Sequence, residues 1–168
     1  MGEIHTRCGE HDVKNDHNGF PAQDSMVAKI ILHPNYDPKT ISYNLAILVM
    51  EKNFIYQRHI GPVCLPEPDE SFDNDKDCWS SGWGANSDES DGQYSNTLKK
   101  IDMRIVPKDE CRTILDENGK KALGRYALHS SFLCVGGEKD KDTCEGDGGS
   151  PHVCFNKDKK YVLVRWFS

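Results

Sequence analysis

Hydrophobic residues fall in short runs rather than in long helical stripes. Residues 26–32, 45–50, 98–105, 132–135 and 161–167 are rich in β-formers, and Ile101, Met103 and Ile105 repeat at period two, as in a half-buried strand. Turn formers separate these runs at His33-Pro34-Asn35-Tyr36-Asp37-Pro38, at residues 66–77 and at residues 85–93. One segment reads as a helix. It opens at Pro107-Lys108-Asp109, covers residues 108–117, carries Cys111, Ile114 and Leu115 on one face and stops at Gly119. The pattern predicts an all-β protein with one short helix.

Composition narrows the function. The chain has 168 residues, and 21 basic against 27 acidic side chains leave a net charge of -6. No clustered basic surface follows from that balance, so no nucleic-acid partner is expected. The longest apolar runs, 45–50 and 161–167, fall short of the ~20 residues that span a bilayer as a helix, and no membrane partner is expected. The first residues, Met1-Gly2-Glu3-Ile4-His5-Thr6-Arg7, carry no apolar signal segment. The seven cysteines, Cys8, Cys64, Cys78, Cys111, Cys134, Cys144 and Cys154, nevertheless indicate an oxidising, extracellular compartment and a disulfide framework. Their odd number leaves at least one partner outside the chain.

Metal and cofactor signatures fail on spacing. There is no Cys-x-x-Cys, and His5, His11 and His152 complete no zinc finger with their neighbouring cysteines. Asp73, Asp75 and Asp77 alternate as in a calcium loop, but Cys78 stands where its glycine belongs and Gly84 where its last glutamate belongs. No glycine-rich phosphate loop occurs. Neither metal nor cofactor is expected.

The most specific string is Asp142-Thr143-Cys144-Glu145-Gly146-Asp147-Gly148-Gly149-Ser150-Pro151-His152-Val153-Cys154. It resembles the nucleophile loop of trypsin-like serine proteases, which reads Gly-Asp-Ser-Gly-Gly-Pro in that family. Six further matches occur in the family's order: Gly9-Glu10-His11-Asp12, His33-Pro34-Asn35-Tyr36, Val63-Cys64-Leu65-Pro66, Cys78-Trp79-Ser80-Ser81-Gly82-Trp83-Gly84, Ile105-Val106-Pro107 and Phe132-Leu133-Cys134-Val135-Gly136-Gly137. The stretch from Gly136 to Pro151 is most similar to the clip-domain and masquerade-like serine protease homologues of arthropods. The resemblance implies a chymotrypsin-like fold of two six-stranded β-barrels forming one partial protease domain over residues 1–168. Such a domain usually takes ~200–250 residues, so this one is expected to be incomplete at both ends, without the activation and base-histidine region and without the last strand and helix.

The same resemblance implies a loss of catalysis. Serine attack needs an imidazole to take its proton and a carboxylate to orient that imidazole. Gly148 occupies the serine position, Asn44 in Asn44-Leu45-Ala46-Ile47-Leu48 occupies the aspartate position, and no Ala-Ala-His-Cys segment occurs in the chain. In the family's own reference enzyme the Asp-to-Asn change alone costs about ten-thousandfold. Gly146, Asp147 and Gly148 would be a remnant of the oxyanion loop, with Asp147 at the carboxylate that pairs with the N-terminus freed by activation. Asp142 would be a remnant of the pocket that selects Arg or Lys. The seven histidines match no base motif and read as surface or turn residues. By resemblance Cys78 pairs with Cys154 and Cys111 with Cys134, while Cys8, Cys64 and Cys144 have partners outside the chain or unassigned, a Cys8–Cys64 bond being the alternative left open.

The function implied is that of a secreted, noncatalytic homologue binding proteins in an extracellular proteolytic cascade, such as prophenoloxidase activation. Two alternatives stand beside it: an active trypsin-like endopeptidase that recruits Ser150 or Thr143, and a nonfunctional fragment.

Overall fold

The computed structural model describes residues 3–15, 20–73, 77–85, 93–118, 128–136 and 142–166. They form two compact units, Met1–Pro62 with Ser95–Leu98, and Val63–Tyr94 with Lys99–Ser168.

The first unit is an antiparallel sheet of β1 (His5–Cys8), β2 (Gln23–Leu32) and β3 (Ala46–Met50). β2 pairs with β1 through its first half and with β3 through its second, and a register shift between Val27 and Lys29 marks the changeover. A bulge of this kind turns the strand and increases its twist. Directly opposed on β1 and β2, Arg7 and Asp24 make a two-pronged ion pair, Nε to Oδ1 at 2.7 Å and Nη2 to Oδ2 at 2.9 Å. The pair is exposed and fixes register more than stability. Gly9 adopts φ +80°, and a Cβ there would overlap the His59 ring and the buried Ile60, so only glycine permits this close approach. β3 is apolar on both faces, and Ile47, Leu48 and Val49 remain 61%, 42% and 42% exposed.

The second unit holds the core. β4 (Cys78–Gly82), β5 (Lys99–Asp102), β8 (Pro151–Phe155) and β9 (Tyr161–Trp166) form a sheet in the order β5-β4-β8-β9. β6 (Ile105–Val106) and β7 (Cys134–Val135) form a second ladder. Phe72, Cys78, Ile105, Cys154 and Val162 cluster at the centre, with Leu133, Val135 and Val164 packed around them. Cys78 and Cys154 lie directly opposite one another on β4 and β8, are bonded as a disulfide and are fully buried. The helix α1 (Lys108–Asn118) starts after Pro107, whose carbonyl accepts the N–H of Cys111 at 2.9 Å. Asp109 and Glu110 in its first turn suit the positive end of the helix dipole. Cys111 bonds to Cys134 and staples the helix to β7.

Three expectations change. The 98–105 run is two strands, because Met103 N–H turns to the Cys78 carbonyl while the Arg104 carbonyl accepts the N–H of Gly136, passing the chain from one sheet to the other. Among the α1 side chains described, only Cys111 is buried; Leu115 is half-buried and Ile114 exposed, and Gly119 lies outside the described residues. His152 is 1% exposed and belongs to the interior rather than to a surface or turn. Among the described residues the second unit carries six strands and the first three, and no helix there is long and apolar enough to cross a membrane.

Two outcomes follow. Burial lowers the His152 pKa from 6.5 to about 4, so the folded chain keeps this ring neutral where the unfolded chain protonates it. Its contribution to stability is complete above pH 6.5 and is lost as pH falls towards 4. Denaturant midpoints should therefore drop across that window, and a His152→Gln variant should show a flatter profile. Replacing both Cys78 and Cys154 by Ala should cost more than replacing Cys111 and Cys134. The loops closed span 76 and 23 residues, worth about 4.5 and about 3.4 kcal/mol in the chain-entropy account; equal midpoints for the two double variants would contradict this ranking.

Candidate functional site

One face of the β4–β8 pair carries three successive contacts. Cys78 is bonded to Cys154. Two residues on, the Ser80 hydroxyl lies 2.8 Å from His152 Nδ1, with both side chains buried. Two residues further, Gly82 faces Ser150 and the Asp147 carboxylate, which fill the space where its side chain would be. Alternation along a strand places 78, 80 and 82 on the same side, so the segment 144–150 hangs from the end of a rigid ladder.

The segment is shaped by its own carboxylate. Asp147 Oδ1 accepts the N–H of Gly84 at 2.8 Å and Oδ2 that of Cys144 at 3.0 Å. Asp147 N–H returns to the Cys144 carbonyl at 3.1 Å, and Ser150 N–H to the Asp147 carbonyl at 2.9 Å. Gly146 and Gly149 adopt φ +93° and +87°, conformations natural to glycine. Gly148 does not, and a Cβ built on it meets open space. The backbone at 148 would thus seat a serine side chain without strain or collision.

The other residues singled out by the sequence are placed as follows. Asn44 is exposed and lies two residues before β3, after two non-glycine residues in left-handed backbone, Ile41 at φ 52° and Tyr43 at φ 53°. Asp142 is exposed and its carboxylate accepts the N–H of Thr143 at 2.8 Å. Ser150 and Thr143 are half-buried. Cys8 and Cys64 carry free thiols, Cys64 exposed and Cys8 half-buried, and burial raises the Cys8 pKa. Cys144 is half-buried, with its N–H held by Asp147. Residues 137–141 of the matched stretch lie outside the described residues.

Nucleophilic chemistry needs a hydroxyl beside an accessible imidazole. Ser80 and His152 have the distance but are 2% and 1% exposed, so no substrate reaches them. His129 Nδ1 lies 2.9 Å from the Ser131 hydroxyl and also accepts the Ser131 N–H at 3.1 Å, which makes it part of a local turn. His33 stacks on Tyr43 with centroids 4.8 Å apart, and its Nδ1 accepts the N–H of Asn35. His59 Nε2 lies 3.1 Å from the Pro21 carbonyl. Cys78, His152 and Cys154 bring their ligand atoms together, but the two sulphurs are bonded to one another and offer no thiolates.

His152 is the residue the sequence reading missed. The signal was present: it stands two positions before Cys154, so a strand that turns that cysteine inward turns His152 inward as well.

Comparison with known proteins agrees with this geometry. The family model described as Trypsin matches residues 1–164. The chain is 38% identical over 162 residues to the "Inactive CLIP domain-containing serine protease A28" of Anopheles gambiae, covering 96% of this chain and 41% of that protein. It is 38% identical over 158 residues to the "Inactive CLIP domain-containing serine protease A8" of the same mosquito, covering 93% of this chain and 42% of the relative. Against "Phenoloxidase-activating factor 2" of Galleria mellonella it is 36% identical over 152 residues, 90% of this chain and 49% of that one. The chain therefore spans less than half the length of these relatives. Antiparallel sheets and a single short helix among the described residues fit the chymotrypsin-like β fold.

Proposed function

From a chain that belongs to the trypsin family, yet carries Gly148 and Asn44 where the family's chemistry needs a hydroxyl and a carboxylate, we propose a protease homologue that binds proteins and does not cleave them. The carrying observation is the contrast within one loop. Its turn and its Asp147 carboxylate contacts are intact, and the backbone at Gly148 is open to a side chain, but glycine supplies no nucleophile. Among the described residues the serine–histidine hydrogen bonds are sealed or spent on a turn, which gives the endopeptidase alternative no support. Relatives named inactive serine proteases and a phenoloxidase-activating factor support work as a cofactor or regulator in an extracellular immune cascade. The buried Cys78–Cys154 bond supports secretion.

A fluorophosphonate probe, which labels only an activated serine, should leave the purified protein unlabelled, and peptides ending in Arg or Lys should not be hydrolysed. Either reaction at a stoichiometric site would restore the enzyme reading. The double variant Gly148→Ser with Asn44→Asp should also stay inactive in this 168-residue chain, since it contains no Ala-Ala-His-Cys segment to supply the base. A Cβ at 148 meets open space, so a clash at that position would not account for the failure. Turnover by the variant would instead identify a histidine of this sequence that reaches the loop. For the cascade role, adding the intact chain to a mixture of an activating protease and prophenoloxidase should change the yield of phenoloxidase; an unchanged yield and no binding to either protein would sink the cofactor reading.

A further inference from the structure

The β8–β9 hairpin closes through Asn156-Lys157-Asp158-Lys159-Lys160, which places three lysines and one aspartate in five residues of a chain whose net charge is -6. Asn156 builds the turn. Its N–H donates to the Lys160 carbonyl at 3.0 Å, its carbonyl accepts the N–H of Lys159 at 2.9 Å, and its side-chain oxygen accepts the N–H groups of Asp158 and Lys160, both at 3.0 Å. An Asn side chain that bonds back to the following backbone sets a turn locally. Below it, Phe155 and Tyr161 oppose one another directly in the ladder, with ring centroids 4.0 Å apart. Both strands are tied to neighbouring backbone, since Phe155 N–H donates to the Asp77 carbonyl at 3.1 Å and Leu163 N–H to the Cys64 carbonyl at 2.8 Å. All of these groups belong to the second unit.

One position of the turn is not suited to lysine. Lys159 has φ 55°, in the left-handed region, where a Cβ crowds the neighbouring carbonyl oxygen and glycine sits free of strain. Glycine would make the same turn more easily, so what the strained residue supplies is its ammonium group. Lys157, Asp158, Lys159 and Lys160 are all exposed. Among the described residues, no carboxylate is ion-paired with any of the three lysines.

We propose that this hairpin end is a docking site for a short acidic segment of a partner protein, three ammonium groups on a preformed turn meeting a run of carboxylates. Its footprint favours a protein segment over a long sulfated polysaccharide. Three cations within four residues match a few carboxylates, whereas a long polyanion would run past the turn onto a chain that is negative as a whole. A turn already set by Asn156 lowers the ordering cost of binding, and its exposed charges steer encounter and the choice of partner. The site names a kind of partner for the binding function proposed above, and rests on that reading only for which protein supplies the acidic segment.

A peptide of ten glutamates, titrated into the intact, oxidised chain, is the probe. It should shift the amide resonances of residues 156–160, and its affinity should fall as ionic strength rises from about 0.01 to about 0.15 M, which shortens the reach of charge from about 30 to about 8 Å. Lys157→Glu, Lys159→Glu and Lys160→Glu together should raise the dissociation constant about tenfold or more. The same change at Lys29, Lys39 and Lys52, exposed lysines of the first unit, alters net charge equally and should move it by less than about threefold at the higher salt. Lys159→Gly should separate two readouts: the denaturant midpoint rises because the left-handed strain is gone, while peptide affinity falls about threefold. A higher midpoint with unchanged affinity would mark a merely solvated turn and overturn the proposal. So would a peptide that leaves residues 156–160 unshifted, equal losses in the two triple variants, or a heparin oligosaccharide that binds the turn where the peptide does not. Peptide binding at the turn with no effect on phenoloxidase yield would sink the proposed function and leave the docking site standing; an altered yield that the hairpin triple variant retains would do the reverse.

Discussion

Everything specific about the second unit is referred to the Cys78–Cys154 bond. It joins directly opposed residues of β4 and β8 at the centre of the core, and a covalent link there fixes the register of the two strands. From that point the pair runs outward through Ser80 and His152 to Gly82 and Ser150. The contacts weaken in kind along the way, from a covalent bond to a buried hydrogen bond to a carboxylate held by backbone amides. A one-residue slip would turn His152 to solvent and Val153 inward, so the position of Asp147 beside Gly82 and Gly84 depends on a register set four residues away.

Much of the fold could be read from the residues, and the errors have physical causes. Strands β2, β3 and β9 announced themselves through apolar β-formers, and the helix through Pro107, Lys108 and Asp109. β4 and β8 did not, because their inward positions are filled by Cys78, Ser80, His152 and Cys154 rather than by hydrocarbon side chains. A hydropathy pattern looks for a core made of Val, Ile and Leu, whereas this sheet is built around a disulfide and a hydrogen-bonded histidine. β7 forms the last two residues of the run read at 132–135, and β6 begins at the last residue of the run read at 98–105. The site was legible as a string, since the Gly146–Ser150 turn is carried by local residue types. That Asp147 occupies the space of two absent side chains, those of Gly82 and Gly84, was not legible, because it depends on residues more than sixty positions apart meeting at a strand end.

In the proposed reading, catalysis is lost and the architecture of the loop is kept. A catalytic serine needs three groups aligned to within about an ångström, whereas a surface that recognises a protein needs shape, exposed backbone groups and rigidity. The exposed Gly148, the half-buried Asp147 and the turns at Gly146 and Gly149 satisfy the second set of demands. Selection for binding can keep the scaffold while the reacting atoms drift away.

β3 has a consequence of a different sort, for the behaviour of the protein in bulk solution. Its five residues, Ala46-Ile47-Leu48-Val49-Met50, contain no charge, proline or glycine, and it stands at the edge of its sheet with Ile31 and Leu32 of β2 also exposed beside it. Edge strands of this composition are templates for pairing with other chains. The net charge of -6 opposes such encounters only over a distance that salt shortens to about 8 Å at physiological ionic strength. Any attraction through this strand would therefore strengthen with salt and with concentration, and weaken in dilute, low-salt buffer.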